Sequence, residues 1–540
     1  MFIKYLRVFL FIFIPLFLSS CASPPEKVSK KDRQVKAMST FGSLRTSSNK
    51  KVTSIDLRKA ISLAIENNLE YKVNKIQAAL AYKQYDLAKL NMLPKIDTSF
   101  AYNKRNKDYI KSLTNTPTGP GQSLIPHTQE IGTMLFNWNV LDFGLSYVRA
   151  KQAGDRYLSA QEERKKIAMQ LINNVVKNYT LAYYGQEMSK QMVEVEKEVD
   201  KFLNSADVAL KQGAGERDKF LNYRKTLLES YRESQDYMTY FNQSRDKLLS
   251  LINYNSDDTL EHPEIQLVVP EGYLTKLPVI KSKLADLDMV ALFNRPELTQ
   301  AIYKTQEVKR QKWVELLQRL PSFGFNFGYN YDSDKNLKYQ NWFSENMTIA
   351  WNLLQLASIQ PAYDAAETQL DAQELTYLAS SAVILGEIRV LLYNYNTKKY
   401  DYDLAARQSK YDEEIYKNSL NMVTSGLGDQ QTLIKDKISA INGEFVKLRS
   451  FIEARNSLED VILSLGLYHT PGELVMDEFV NPTIIGKWMD DFTKTPFDKI
   501  IASEHQTISK IEQAEDESSS SDEKIETSSN EINQTEDNQV

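Results

Sequence analysis

A single cysteine, Cys21, stands in a chain of 540 residues, which excludes intramolecular disulfides and cysteine metal clusters. Histidine is almost as scarce: His127, His262, His469 and His505 are dispersed and share no metal-ligand spacing. No Gly-rich phosphate loop, nucleophile elbow or paired-His metal helix is present. Carboxylates are plentiful, but they fall in strongly helical stretches and read as solvated helix faces rather than acid–base pairs. Together these absences predict no enzymatic activity, no cofactor and no metal. A net charge of −5 argues against nucleic acid as a partner. Overall hydrophobicity is too low for a helical membrane protein, as expected if only four short strands per chain meet lipid.

What the chain does hold is itself, twice. Ala64, Asn67, Glu70 and Leu93-Pro94 return as Ala291, Asn294, Glu297 and Leu320-Pro321, where 321 − 94 = 227. Phe136-Asn137-Trp138-Asn139 returns as Ile349-Ala350-Trp351-Asn352, where 351 − 138 = 213. The pair Gly213 and Gly215 returns at that second offset as Gly426 and Gly428. The difference, 227 − 213 = 14, implies one insertion in the first copy, between Pro94 and Trp138. Pro117, Gly119, Pro120, Gly121 and Pro126 mark a longer loop there. Two copies of a large unit predict pseudo-symmetry, with repeats over 54–283 and 284–467.

After each Leu-Pro pair the residues alternate at a period of two. Phe323, Phe325, Phe327, Tyr329 and Tyr331 share one face; Gly324, Asn326, Gly328 and Asn330 share the other. The first copy sets Ile96, Thr98, Phe100 and Tyr102 against Asp97, Ser99, Ala101 and Asn103. The partner strands set Met134, Phe136, Trp138 and Val140, or Met347, Ile349, Trp351 and Leu353, against small and polar residues. Strands are expected at about 95–104, 131–141, 322–332 and 344–354. Segments of roughly ten residues, apolar on one side and small or polar on the other, suit lipid-facing barrel strands. An amphipathic hairpin covering a helical core shows the same alternation. Four strands cannot close a barrel, since known ones have at least ~8, so the membrane reading requires an oligomer. A trimer supplies twelve.

The helices are long. From Leu141 to Gly213, about 70 residues, the only breakers are Gly144, Gly154 and Gly185. The second copy runs from Pro361 to Gly426 with only Gly386 inside. At 1.5 Å per residue each spans on the order of 100 Å. An apolar stripe, Ile167, Leu171, Val175, Tyr179 and Ala182, is matched by Ile384, Ile388, Leu392 and Tyr395. The return path comes in two pieces, each of roughly 35–40 residues, so that two stacked end to end also reach on the order of 100 Å. Equal outgoing and returning lengths suit a closed helical cylinder; a long antiparallel coiled coil used as a scaffold fits the helices equally well.

At the N-terminus Lys4 and Arg7 precede an apolar run, Val8 to Leu18, and then Leu18-Ser19-Ser20-Cys21. The run is short for a transmembrane helix and reads as a secretory signal over 1–20. A small-residue stretch ending in Cys resembles a bacterial lipoprotein signal, which implies lipidation (palmitate among the acyl groups) of Cys21 as the mature first residue. Residues 21–53 read as a polar, lipid-anchored tether. Residues 468–502 hold Trp488, Phe492 and Phe497, enough to pack, and 503–540 read as a disordered acidic tail.

The lipoprotein signal, the duplicated helix–hairpin–helix unit, Leu-Pro before each first strand and Trp within each second strand resemble the outer membrane efflux (TolC-like) family. Ala64–Glu70 is similar to that family's opening helix, and Asn294-Arg295-Pro296-Glu297-Leu298 is its second copy. Phe136 to Gly144 resembles its strand-to-helix passage, from which the second copy departs: Leu356-Ala357-Ser358 stands where a Gly is expected. The resemblance covers about residues 54–467. It implies a mainly α fold with a small β part: a homotrimeric α-helical barrel continuous with a twelve-stranded transmembrane β-barrel, four strands per chain.

In function, the resemblance implies a passive exit duct of a tripartite efflux pump or a type I secretion system. The duct would sit in the outer membrane of a Gram-negative bacterium with most of its mass in the periplasm. Its partners would be outer-membrane lipid, a periplasmic adaptor (membrane fusion) protein and an inner-membrane transporter. Lipid-facing strand residues would be Phe100, Tyr102, Phe136, Trp138, Phe325, Phe327, Tyr329, Ile349 and Trp351. Gly213 and Gly215, with Gly426, Leu427 and Gly428, would form the adaptor-docking tips, and Asp429 and Asp436 a pore constriction. The competing function is a lipid-anchored periplasmic scaffold or adaptor that never spans the membrane; an Asp at Phe325 or Trp351 blocks outer-membrane assembly only of a channel.

Overall fold

The structure, a computed structural model, describes residues 27–46, 54–107, 109–113, 121–211, 217–254, 265–268, 275–335, 337–468, 494–511 and 513. The chain divides into two compact units, Met1–Ser54 with Asn253–Gln266, and Ile55–Ile252 with Leu267–Val540. In the first, the stretch expected as a plain polar tether carries a 17-residue helix, α1 (Lys30–Thr46). Ser29 caps it: its Oγ accepts the Asp32 N–H at 3.1 Å and donates to Asp32 Oδ2 at 2.6 Å.

The larger unit is built on the duplication. Helices α2 (Leu57–Asn67) and α3 (Leu69–Leu90) lead into β2 (Lys95–Lys104), and their counterparts α6 (Leu284–Asn294) and α7 (Pro296–Leu317) lead into β7 (Ser322–Asp332). Each start is displaced by the same amount: 284 − 57, 296 − 69 and 322 − 95 are all 227. Strand β5 (Thr128–Asn139), helix α4 (Val140–Lys211) and helix α5 (Arg217–Leu251) have as counterparts β8 (Asn341–Ala350), α8 (Ile359–Thr424) and α9 (Gln430–Ser464). Here 341 − 128, 424 − 211 and 430 − 217 are all 213.

Local chemistry sets the helix boundaries. Asp56 caps α2 by accepting the Lys59 N–H at 2.7 Å, and Asn68 caps α3 by accepting the Tyr71 N–H at 3.0 Å. In the second copy Pro296 stands at the first position of α7, where its missing N–H costs nothing. The departure at Leu356-Ala357-Ser358 also has a structural counterpart: Leu353–Ser358 is a 3₁₀ turn, where the first copy is already α-helical from Val140.

The 14-residue difference is not a plain loop. It holds a further two-stranded antiparallel pair, β3 (Tyr109–Leu113) with β4 (Gly121–Ile125), which extends the first hairpin. Another small pair joins β1 (Ser54–Asp56) and β6 (Gln266–Val268), with Ile55 and Leu267 buried. The described residues therefore contain eight strands, of which four form the main sheet. Residues 497–511 are helical (α10) and pack through Phe497, Ile501 and Ile508, so the expected tail boundary at 503 falls inside a packed element.

Packing crosses between the repeats. Helix α4 of the first copy lies against α7 of the second: Gln152 Nε2 donates to Gln311 Oε1 at 3.0 Å, and Arg156 Nε donates to Glu307 Oε1 at 2.5 Å. Leu181, Met188, Phe241, Phe445 and Ile452 join α4, α5 and α9 in one core. In contrast to the low overall hydrophobicity, the helical stretch Leu353–Thr424 contains an 18-residue window apolar and long enough to cross a membrane, by length and composition. Only 11% of that window is buried within the chain.

Candidate functional site: the sheet and the helical tip

The main sheet is antiparallel, in the order β2-β5-β7-β8. Strand β5 begins at Thr128 and ends at Asn139, against the expected 131–141, and β8 spans Asn341–Ala350 rather than about 344–354. Strands β2 and β7 occupy Lys95–Lys104 and Ser322–Asp332. Directly opposed residues share a face, so the register fixes which side chains lie together.

One face is apolar. Ile96 pairs with Phe136, Phe136 with Phe327; Trp138 pairs with Phe325, and Phe325 with Met347; Phe323 pairs with Ile349. Phe100 and Tyr102 extend this face along β2, and Tyr329, paired with Met134 and Phe343, extends it along β7. The rings touch: Trp138 and Phe325 lie 6.4 Å apart between centroids, and Phe327 stacks on Phe343 at 5.6 Å. Yet the face is uncovered, with Phe100 70% and Ile349 62% exposed. Trp351 lies one residue beyond β8, exposed, and its indole N–H donates to the Arg319 carbonyl at 3.0 Å.

The other face is polar and cross-linked. Asn137 Nδ2 donates to Asp97 Oδ2 at 2.7 Å, the Ser99 and Thr133 hydroxyls lie 2.6 Å apart, and Asn330 Nδ2 donates to Ser344 Oγ at 2.8 Å. Leu135 breaks the polarity and sits over Gly328, its direct partner; a Cβ there would lie 2.6 Å from Leu135 Cδ2. At the helix end this face opens into a cleft of about 890 Å³ lined by Asp97, Asn137, Asp142, Arg149 and Asn326. The outer strands β2 and β8 have no partner on their free edges among the described residues.

At the far end of α8 the chain reverses through Gly426-Leu427-Gly428. The Leu427 N–H donates to the Met422 carbonyl at 2.9 Å and the Gly426 N–H to that of Val423 at 3.0 Å. This is the pattern that places the residue after the cap in left-handed backbone, and Gly426 has φ +72°. Leu427 projects at the apex, 81% exposed.

Asp429 is exposed and serves as the N-cap of α9, its Oδ2 accepting the Thr432 N–H at 3.1 Å. Asp436 accepts a hydrogen bond from Ser419 on α8 of the same chain. The two carboxylates thus sit in different settings, one capping and one tying the hairpin together. Gly213 and Gly215 of the other tip, and Cys21, lie outside the described residues.

Two features escaped the sequence reading. Glu345 lies on the apolar face between Phe343 and Met347; it shares their parity and falls inside the expected strand, but the alternation was read only from Met347 onward. The other is a pair of clamps, Tyr179 and Tyr395, both fully buried. The Tyr179 hydroxyl donates to the Ile55 carbonyl at 2.8 Å and accepts the Val268 N–H at 3.1 Å; that of Tyr395 donates to the Pro278 carbonyl at 2.6 Å. Burial pushes both phenols well above their ordinary value, so they stay protonated donors.

No known family profile matches the chain, and no curated protein matches its sequence. Solved structures do match its fold. The outer membrane channel CmeC of Campylobacter jejuni superposes with a TM-score of 0.59 at 16% identity, over 81% of this chain and 89% of that one. The open-state outer membrane channel MtrE of Neisseria gonorrhoeae gives 0.58 at 17%, over 76% and 88%. The outer membrane protein VceC of Vibrio cholerae gives 0.57 at 12%, over 76% and 96%. The chain has the fold of TolC-like outer-membrane channels.

Proposed function

We propose that the protein is the outer-membrane exit duct of a tripartite efflux pump or type I secretion system. Three copies assemble into a passive channel, with twelve strands closing a barrel in the outer membrane of a Gram-negative bacterium and the long helices forming a periplasmic cylinder. One observation carries this reading: an open four-stranded sheet with one exposed aromatic face, one hydrogen-bonded polar face and two free edges. Lipid can cover such an apolar face only if every edge is paired, since an unpaired backbone donor in hydrocarbon costs several kcal/mol.

The exposed apolar window on α8 supports assembly from the helical side, because an apolar surface of that length in the periplasm needs a neighbour. In this arrangement the polar face and its cleft line the lumen, and Cys21 carries the lipid anchor. The tips at Gly426-Leu427-Gly428 and Gly213-Ala214-Gly215 meet a periplasmic adaptor, through which an inner-membrane transporter supplies the energy. No step of chemistry falls to the channel itself.

The test is the detergent-corrected mass of the extracted protein by light scattering, followed by conductance in planar bilayers. A trimer that conducts supports the duct. A monomer, with four strands per particle and no conductance, overturns it.

A further inference from the structure

Resting on the trimeric reading above, we infer that neighbouring copies join through one defined register, β8 of one copy against β2 of the next. In that register Glu345 accepts a hydrogen bond from the Tyr102 hydroxyl across the seam. Glu345 prompts the idea. Its carboxylate stands on the exposed apolar face, level with Ile96, Phe136 and Phe327, and it has no hydrogen-bonding or ionic partner among the described residues. An ionisable group on a lipid-facing surface needs a partner. Since β8 is an edge strand, the partner must come from whatever covers that edge.

The geometry selects one register. Strands β2 and β8 are each ten residues long, Lys95–Lys104 and Asn341–Ala350. Full antiparallel overlap sets Asn341 against Lys104 and Ala350 against Lys95, so that paired numbers sum to 445. The faces then match: Phe343 meets Tyr102, Met347 meets Thr98 and Ile349 meets Ile96 outside, while Asn346 meets Ser99 and Thr348 meets Asp97 inside.

Barrel closure agrees. Within one chain Glu345 is level with Ile96, whereas across the seam it is level with Phe100, a stagger of 100 − 96 = 4 residues per chain. Three chains give roughly 12 residues over roughly 12 strands. With a rise of about 3.3 Å and a strand spacing of about 4.8 Å, the strands tilt by about 35°. Closed barrels tilt by roughly 35–45°. Slipping the seam by two residues one way flattens the tilt to about 19°, well below that range; slipping it the other way gives about 46°, at its upper edge, but breaks the full overlap of the two ten-residue strands.

In the selected register Glu345 faces Phe100 directly and has Thr98 and Tyr102 as diagonal neighbours. Tyr102 is exposed and makes no other described hydrogen bond, and its side chain is long enough to reach a diagonal partner.

Cysteine pairs test the register in the full-length protein, which has no other cysteine than Cys21. Asn346→Cys with Ser99→Cys should give disulfide-linked trimers under mild oxidation, and Asn346→Cys with Ala101→Cys should give few. Glu345→Ala and Tyr102→Phe should each lower the temperature at which the trimer dissociates in detergent, and the double variant should lower it no further. Linkage at 346–101 instead, or additive effects of the two substitutions, overturns the inference while leaving a trimeric mass intact. A light-scattering mass that is not trimeric overturns the channel reading and the seam together.

Discussion

Tyr395 stands 216 residues after Tyr179, three more than the offset of 213 that relates the long helices, yet the two phenols do the same work. Each reaches out from a long helix to a backbone carbonyl elsewhere in the chain, that of Ile55 in β1 for Tyr179 and that of Pro278, ahead of α6, for Tyr395. Tyr179→Phe should destabilise the protein by about 1–3 kcal/mol, the usual cost of leaving buried backbone groups unpaired. Thermal unfolding measures it, and no change in the midpoint would refute the clamp. The phenol's raised pKa adds a pH dependence. Above about pH 10 the unfolded chain ionises this tyrosine while the folded one does not, so stability falls as pH rises. Tyr179→Phe should flatten that alkaline fall.

Glu504 gives the acidic counterpart. It is buried in α10, accepts a hydrogen bond from Asn294 Nδ2 at 3.3 Å, and has its pKa raised by burial. A carboxyl that is harder to ionise when folded contributes stability below its unfolded value, near 4.5, and loses it as pH rises through the folded value. Glu504→Gln should therefore raise the unfolding midpoint at pH 7 and leave it unchanged near pH 4. An equal effect at both pH values would mean that packing, not charge, sets the cost.

How much of this was legible in the sequence follows from the range of each signal. Alternation from Phe323 to Tyr331 is local, and it identified the strand and its apolar face directly. The duplication was legible too, because Leu93-Pro94 and Leu320-Pro321 precede strands at one offset. That Trp138 lies against Phe325 was not, since this pairing joins residues from different repeats. The Gly- and Pro-rich stretch after Arg105 read as a loop because those residues mark turns, yet two short strands flank them. Helix α10 was hidden by its charge: Phe497, Ile501 and Ile508 bury one narrow stripe of an otherwise polar segment. The Ser419–Asp436 hydrogen bond was not legible either, since it joins two different helices.

The two faces of the sheet make opposite predictions for one substitution. Phe327→Arg puts a cation on the apolar face, where a lipid-facing Arg costs about 2–4 kcal/mol near the bilayer midplane. It should deplete the protein from the outer-membrane fraction and reduce the trimer. Asn326→Arg, one residue away on the polar face, should leave insertion and trimer intact and alter conductance instead. If both variants insert equally well, the apolar face does not meet lipid.

The tip separates assembly from partnership. Gly426 adopts left-handed backbone to close the α8–α9 reversal, and Leu427 projects beyond it, 81% exposed among the described residues. A side chain held at the apex of a rigid reversal buries little on folding, so Leu427→Asp should leave unfolding and trimer mass unchanged. If the tip docks an adaptor through this leucine, the same substitution should cut export of a reporter substrate in cells several-fold. Gly426→Ala should act differently, straining the reversal by roughly 1–2 kcal/mol because its φ disfavours a Cβ. Export lost in Gly426→Ala but retained in Leu427→Asp would mean that the shape of the tip matters and its apolar apex does not.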